Sequence, residues 1–596
     1  MTATAEAVFA SEPAVAVLDA WLCSALSAQS LTPVQLERYR SHMPVAGWRL
    51  AFIAEGQTIT IDLLVDRRFP AAPPRVCWVD PPPFPSLPHV ERDGSICILP
   101  SAAATDPLDW RNLVQRILGD VETVIGQGLR GENLGDFRTE FRSYWNEVAT
   151  GRDLISLVDP CGPSRMVRAW FGRSSIVLAE DPTSLRRWLG NAFGKKAVAD
   201  LSIHAVPLLW LPQPPLPGEY PRSASDLAAL AAAAGPEAAA LYNRAAAEDV
   251  DTSLFLLGSE IESAGICLGG VSLSRRRSRF GGSERRFGGF RKAVPGKLLL
   301  HARDCDQLHL CAVRRVDPWW VHGRDSQSEL ETLLGATVAM VGCGSLGSIT
   351  ARLLAQAGVG ELVLLDPEIM AAANAGRHAL GLESVGANKA EALRGQLARA
   401  FPHLRFTALP MGWQDAVDQD PGWLARCDLV VSTVGDWQAE SALNAYCLSS
   451  RPKGVAVYGW AEPHAVGGHA VAIGPGSGCF ACGLTRFGGA AFRVADFAGA
   501  TLRREPACGA FFQPYGGAAI ASVASLVARL AIDLLYETAA AGDHRVLAVP
   551  MVDIAAAGGT LSAAWTTASP DPAAGNQLAR HWPVRADCPY CAGKGA

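Results

Sequence analysis

The sequence predicts a multidomain α/β chain, and three observations carry that expectation. The chain has 596 residues, more than one hydrophobic core organises. Between Thr337 and Asp366 a β-branched run, a glycine-rich turn, an amphipathic helix and a second apolar run follow one another. Between Gly47 and Asp80 short alternating runs are broken by turns and a proline-rich bend, the pattern of an antiparallel meander. The expected division is 1–150, 151–320 and 321–596.

The stretch T-V-A-M-V-G-C-G-S-L-G ends a predicted strand on Gly342, Gly344 and Gly347. Ile349, Leu353, Leu354 and Ala357 then recur at helical spacing, and E-L-V-L-L-D ends on Asp366. Strand, glycine turn, helix, strand and acid form a nucleotide-binding βαβ unit. The glycines let backbone N–H groups close on phosphate, and Asp366 can take a ribose hydroxyl pair. Dehydrogenases share this grammar, but the residues that follow do not suit one. Asn374 and Arg377 come after Asp366, Lys389 follows in G-A-N-K, and Asp436 closes D-L-V-V-S-T-V-G-D.

That set resembles the ATP-dependent adenylating enzymes of the ThiF and ubiquitin-activating superfamily. Their pattern is D-x-D-x(5)-N-x-x-R, then a lysine, then an aspartate after the fourth strand. Glu368 stands here for the second acid. The resemblance implies ATP and Mg2+ as cofactors. The chemistry agrees: Arg377 and Lys389 supply positive charge for a triphosphate, Asn374 a neutral donor, and Asp436 a carboxylate for magnesium.

Composition is that of a water-soluble globular protein, and a net charge of -5 gives no general reason to expect nucleic acid. Arg275 to Lys292 is locally basic with interleaved phenylalanines and reads as a solvated loop. The N-terminus lacks a signal-peptide pattern, its first positive side chain being Arg38. Pro506 to Ala528 is uncharged, but Gln513, Pro514 and several glycines break it as a membrane span. Apart from two CxxC pairs the 15 cysteines are scattered, which points to a reducing cytoplasm.

In chain order, residues 1–40 suggest one or two helices. G-W-R-L-A-F-I-A-E then pairs with Q-T-I-T-I-D-L-L-V-D, and R-V-C-W-V-D follows. Trp110 starts a helix with Leu113, Ile117, Val121 and Val124 on one face. Residues from about 48 to 125 resemble the ubiquitin-conjugating fold, and the resemblance places Cys97, in G-S-I-C-I-L, on the thioester cysteine. The family's asparagine, which helps hold the oxyanion, is replaced by His89, and the histidine before it by Leu87. A thiol suits the task, since its thioester stays reactive towards amines.

Residues 150–320 are less informative. M-V-R-A-W-F-G and S-S-I-V-L-A-E read as strands, S-L-R-R-W-L-G-N-A-F as a helix, L-P-Q-P-P-L-P-G as a loop, and Asp226 to Ala247 as an alanine-rich helical segment. A linker or scaffold domain is expected. Arg324 stands where the adenylating superfamily often carries an arginine that reaches the ATP of a neighbouring subunit.

Cys479 and Cys482 in C-F-A-C, with Cys588 and Cys591 in C-P-Y-C, make a tetrahedral Zn2+ set with no open position, hence structural. Disulfides are the alternative. Between the pairs lies Cys508, before an apolar helix. Activating enzymes of the superfamily carry a thioester cysteine in the loop crossing the nucleotide site, and Cys508 is the candidate.

Taken together the chain resembles the fused conjugating–activating proteins of bacterial CBASS anti-phage operons. The resemblance implies that a partner's C-terminal glycine is adenylated and passed to Cys508, then Cys97, then a target protein amine. It implies as partner the C-terminus of a cGAS-like nucleotidyltransferase or a ubiquitin-like protein, and a homodimer. The alternatives are a sulfur-carrier adenylyltransferase of the ThiF or MoeB type, without conjugation, and a non-catalytic scaffold.

Overall fold

The structure, a computed structural model, describes residues 12–98, 109–198, 201–248, 250–262, 264–275, 303–325, 329–450, 454–485, 489–504, 511–588 and 590–591. Cys508 and most of the basic segment 275–292 lie outside the described residues.

The first sheet is an antiparallel meander of β1 (Gln29–Ser30), β2 (Ala46–Ala54), β3 (Gln57–Val65) and β4 (Arg75–Trp78). β2 and β3 pair from Ala46↔Val65 to Ala54↔Gln57. Glu55 and Gly56 both have positive φ, the two-residue turn whose twist matches a hairpin. Trp48, Ile59, Ile61 and Leu63 face the helices Glu12–Leu26 and Trp110–Arg130. The second helix meets them with Leu113, Ile117, Val121 and Ile125; Val124, expected in that stripe, is only half-buried. Tyr39, Leu64 and Cys77 fill the opposite face.

The middle unit is an eight-stranded mixed sheet. Its strands are β5 (Leu154–Ser156), β6 (Arg165–Phe171), β7 (Ile176–Ala179), β8 (Ile203–Trp210), β9 (Thr252–Ile261), β10 (Gly265–Ser274), β11 (Gln307–Cys311) and β12 (Val313–Arg315). The alanine-rich segment is two helices, Ala224–Ala233 and Pro236–Ala247, not one. Gly235 at φ 121 turns the chain, and Pro236, lacking an N–H, opens the second helix at no hydrogen-bond cost. Helix Phe141–Val148 sends Phe141 and Trp145 into this unit's core, and the Trp145 indole donates to the Cys311 carbonyl at 3.0 Å.

The third sheet runs β15 (Arg405–Leu409), β14 (Glu361–Leu365), β13 (Thr337–Val341), β16 (Leu429–Ser432), β17 (Val455–Ala461) and β18 (Gly467–Ile473), then strands Asp543–Ala548 and Gln577–His581. The first five are parallel and the rest antiparallel. Val338, Met340, Leu362, Leu364 and Val431 face helices Ser345–Ala357 and Gly517–Leu535. Their alternates Ala339, Val341, Leu365 and Val430 face Trp413, Leu424, Leu443 and Cys447. Helix Gly517–Leu535 begins after the proline and glycines that precede it. Length and a mean hydropathy of 1.9 alone would let it cross a membrane, yet Ile520, Val523, Val527 and Leu530 are buried in this core.

The strand order reverses its direction of winding between β13 and β16, where doubly wound sheets open a crevice at their carboxyl ends. Thr433 donates to the Gly342 carbonyl there at 2.9 Å.

Candidate adenylation and thioester sites

The glycines of the βαβ unit meet different demands. Gly342 has φ 90, a conformation that side chains resist. A Cβ on Gly347 would fall 2.0 Å from the Gly342 oxygen, so strand and helix approach only with glycine there. At Gly344, which caps helix Ser345–Ala357, a Cβ would meet nothing within 4 Å. That open space lies against the helix N-terminus, whose unpaired N–H groups attract phosphate.

Around this turn the polar side chains are already tied down. Asp366 is buried and accepts from the Cys343 N–H at 2.7 Å and the Glu368 N–H at 2.8 Å. Burial pushes its carboxyl up, while those two N–H groups and the Lys389 charge pull it down. Lys389 is buried and ion-paired with Glu368, the acid that departs from the family pattern. Asn374 accepts from the Ala371 N–H at 3.0 Å and shapes the loop. Arg377 lies over the Tyr515 ring at 5.4 Å, and the Tyr515 hydroxyl meets Ser345 Oγ at 2.9 Å, bringing the guanidinium to the start of the phosphate helix. Asp436 caps helix Trp437–Ser450 by accepting from the Gln438 and Ala439 N–H groups at 3.0 and 2.8 Å.

Two residues at this site escaped the sequence reading. His378 accepts from the Leu380 N–H at Nδ1, which leaves Nε2–H to donate to the Cys343 carbonyl at 2.6 Å. Burial holds its imidazole below the usual range, the neutral state this pattern needs. Its place beside Arg377 was the available signal. Glu440, one helical turn beyond Asp436, is fully buried and accepts from Ser432 at 3.0 Å. Burial pushes it up to about 8. Arg324 ends the turn Trp319–Gly323 with φ 48, next to Asp325, whose carboxylate pairs with Arg315 of β12.

The four CxxC sulfurs converge. Sγ separations are 3.4 Å for Cys479–Cys588 and Cys482–Cys591 and 3.9 Å for Cys479–Cys482, and all lie within 4.8 Å. Zinc–sulfur bonds of about 2.3 Å set tetrahedral sulfurs about 3.8 Å apart, so the donor set fits Zn2+. None of the four is disulfide-bonded. Trp582 seals the tail against this cluster, its indole donating to the Cys479 carbonyl at 3.0 Å.

In the first unit Cys97 is exposed, and its N–H donates to the His89 carbonyl at 2.9 Å. Partial burial still pushes the thiol up, and the carboxylates of Glu140 and Glu91 push it further. His89 adopts φ 61, and its N–H donates to the Tyr144 hydroxyl at 2.7 Å. Its ring Nε2 lies 2.9 Å from Asp136 Oδ2. Asp136, Glu140 and Tyr144 are remote in sequence from Cys97, and nothing in the local pattern pointed to them.

Residues 320–564 match the ThiF family model, and residues 19–151 match the model of prokaryotic E2 family B. The chain joins a prokaryotic E2 domain to a ThiF domain. Among its relatives, the ATP-dependent ubiquitin transferase-like protein Cap2 of Pseudomonas aeruginosa is 26% identical over 381 residues, covering 61% of this chain and 65% of that protein. Ubiquitin-like modifier-activating enzyme 5 of Xenopus laevis is 32% identical over 186 residues, covering 29% of this chain and 45% of the enzyme. The chain thus spans just under two thirds of the first relative's length and less than half of the second's. Among solved structures, E. coli MccB with MccA-N7isoASN aligns over 53% of this chain and 76% of that one, at a TM-score of 0.33 and 15% identity, too low to carry an argument. The E2 match holds Cys97 and His89, and the ThiF match holds the glycine turn, Arg377, Lys389 and Asp436.

Proposed function

We propose that this E2–ThiF fusion activates the C-terminus of a partner protein with ATP and conjugates it to a target amine. The observation that carries the reading is that one chain holds both a phosphate-ready helix N-terminus flanked by Arg377 and Lys389 and an exposed thiol in an E2 domain. The Cap2 and activating-enzyme relatives support the same class of chemistry.

In this reading the amides at the start of helix Ser345–Ala357 receive phosphate, and Arg377 and Lys389 offset charge developing on the triphosphate. Asp436 would hold Mg2+, which supplies charge neutralisation between phosphate oxygens. Asp366, through its lone pairs beyond the two backbone bonds, receives the ribose. The partner's carboxylate displaces pyrophosphate to form an acyl adenylate. Cys508 takes the acyl group with release of AMP, Cys97 takes it by thioester exchange, and a target amine takes it as an amide. His89 helps hold the thioester region in place of asparagine. Cys479, Cys482, Cys588 and Cys591 hold a structural Zn2+. The division 1–150, 151–320 and 321–596, a homodimer in which Arg324 reaches the neighbouring ATP, and a cytoplasmic setting belong to the same proposal. So does the partner: the C-terminus of a cGAS-like nucleotidyltransferase in a CBASS operon, or a ubiquitin-like protein in a related one.

The test is mass spectrometry of the full chain co-purified with its genomic neighbours, with ATP and magnesium, without reductant. A thiol-sensitive adduct on Cys97 that is lost in Cys508→Ala would support the relay and name the partner. AMP formation with no adduct on either cysteine would instead favour the sulfur-carrier adenylyltransferase.

A further inference from the structure

The residue that replaces the family's asparagine is gripped from one helical stretch. Asp136, Glu140 and Tyr144 recur at helical spacing across Asp136–Thr139 and Phe141–Val148. Tyr144 holds the His89 backbone, Asp136 lies 2.9 Å from Nε2, and Glu140 Oε1 lies 3.6 Å from Nδ1. Nε2–H donates to Asp136, and in the neutral ring that bond leaves the lone pair on Nδ1. Nδ1 is buried without a hydrogen-bond partner among the described residues. Among the described residues, the neighbour placed to deliver a proton to that lone pair is Glu140, whose side chain is 38% exposed. Glu140 is also the charged group that acts most on the Cys97 thiol.

We infer that Glu140, backed by His89 and Asp136, is the proton acceptor for a lysine amine attacking the acyl group on Cys97. The inference rests on the conjugating role of Cys97. A lysine arrives as an ammonium and loses two protons on becoming an amide. The first passes from Nζ to Glu140 and on to His89 Nδ1, giving an imidazolium between two carboxylates. The freed lone pair forms the N–C bond, the C–S bond breaks, and its electron pair goes to Cys97 Sγ, which takes the second proton. The raised thiol keeps that proton at neutral pH, and the first leaves through exposed Glu140 to solvent. An asparagine amide donates hydrogen bonds but takes up no proton, so the exchange to histidine adds a capacity. Glu140 is the catalytic group here; His89 and Asp136 position it and store its proton.

The experiment uses the full-length protein. Cys97 is loaded by exchange with the mercaptoethanesulfonate thioester of glycylglycine, excess thioester is removed, and free L-lysine is added. Loss of the acyl group from the Cys97 peptide is followed by mass spectrometry across pH. At pH 7, Glu140→Gln should slow discharge by roughly 100-fold, and the deficit should close as the pH approaches that of free lysine amine, about 10. His89→Asn should also be slow although it restores the family's residue, and Asp136→Asn should show a smaller deficit. Hydroxylamine, neutral at pH 7, should discharge Glu140→Gln far faster than lysine does. Wild-type rates in Glu140→Gln or His89→Asn would overturn the inference, as would a deficit equal at every pH and for both nucleophiles. Should wild-type Cys97 release its acyl group to hydroxylamine but never to lysine, even at high pH, the conjugating role itself would be overturned.

Discussion

The cleft at the glycine turn and the Cys97 site are built in opposite ways. In the cleft, Asp366 bonds backbone through both oxygens, His378 through both nitrogens, and Lys389 is buried in an ion pair. At Cys97 the thiol is exposed, one ring nitrogen lacks a hydrogen bond, and the carboxylates lie partly in solvent. Under the proposed function the cleft receives a triphosphate, and dipoles fixed in advance need no reorganisation to meet its charge. A thioester that must meet one thiol and then a target amine is served by an open approach and groups free to exchange protons. Rigidity and openness divide along the two chemistries.

The largest expected effects separate the two sites outright. Cys97→Ala should abolish conjugation while ATP–pyrophosphate exchange continues, as measured with radiolabelled pyrophosphate. Lys389→Ala or Arg377→Ala should lower that exchange by roughly 100-fold or more, the usual cost of losing a preorganised charge, and should leave chemical loading of Cys97 intact. If either cationic variant exchanged at the wild-type rate, the cleft would not be the adenylation site.

Next in size is a packing test of the rigid side. Gly347→Ala places a Cβ 2.0 Å from a backbone oxygen, so strand and helix must separate, at a cost of about 3 kcal/mol or more. The ThiF unit should melt early in a thermal scan while tryptophan signals of the E2 unit hold. Removing the zinc set by Cys588→Ser should likewise lower the melting of that unit and release zinc to a chromogenic chelator.

The smallest effect depends on pH. Glu440, raised in the folded chain from the ordinary 4.5 to about 8, keeps a proton that the unfolded chain releases. The folded state therefore binds more protons between those values, and stability falls as pH rises through that window. Glu440→Gln keeps an acceptor for Ser432 and cannot ionise. It should match the wild type in melting temperature near pH 5 and exceed it by several degrees near pH 8. An equal difference at both pH values would remove the carboxyl from this account.

Much of the rigid side could be read from the chain because its signals are local. Strand, glycine turn and helix at 337–357 are contiguous, and the two CxxC pairs announce their sulfurs. The β2–β3 hairpin was legible in its two alternating runs, though not in Glu55 and Gly56, which form its turn. The middle sheet was harder. β9 buries its residues on both faces, so its apolar run shows no period of two. The open site was legible only in Cys97 and His89. What makes His89 chemically useful comes from Asp136, Glu140 and Tyr144, brought over by the fold and not by spacing. Asp436, expected only as a metal ligand, also caps a helix, a role its position before Trp437 allowed.

Helix Phe141–Val148 has a mechanical consequence. Trp145 is fully buried in the middle sheet's core, while Tyr144 beside it holds the backbone of His89. The E2 unit is thus riveted to the middle sheet, and swinging one without the other would tear the grip on the His89 backbone. The middle and third units also touch, the Asn191 amide donating to the Pro402 carbonyl at 3.2 Å. If Cys97 travels, it travels together with the middle sheet, as the tip of a two-unit arm. Cysteine crosslinks across the first junction should then survive turnover, and crosslinks across the second should stop it.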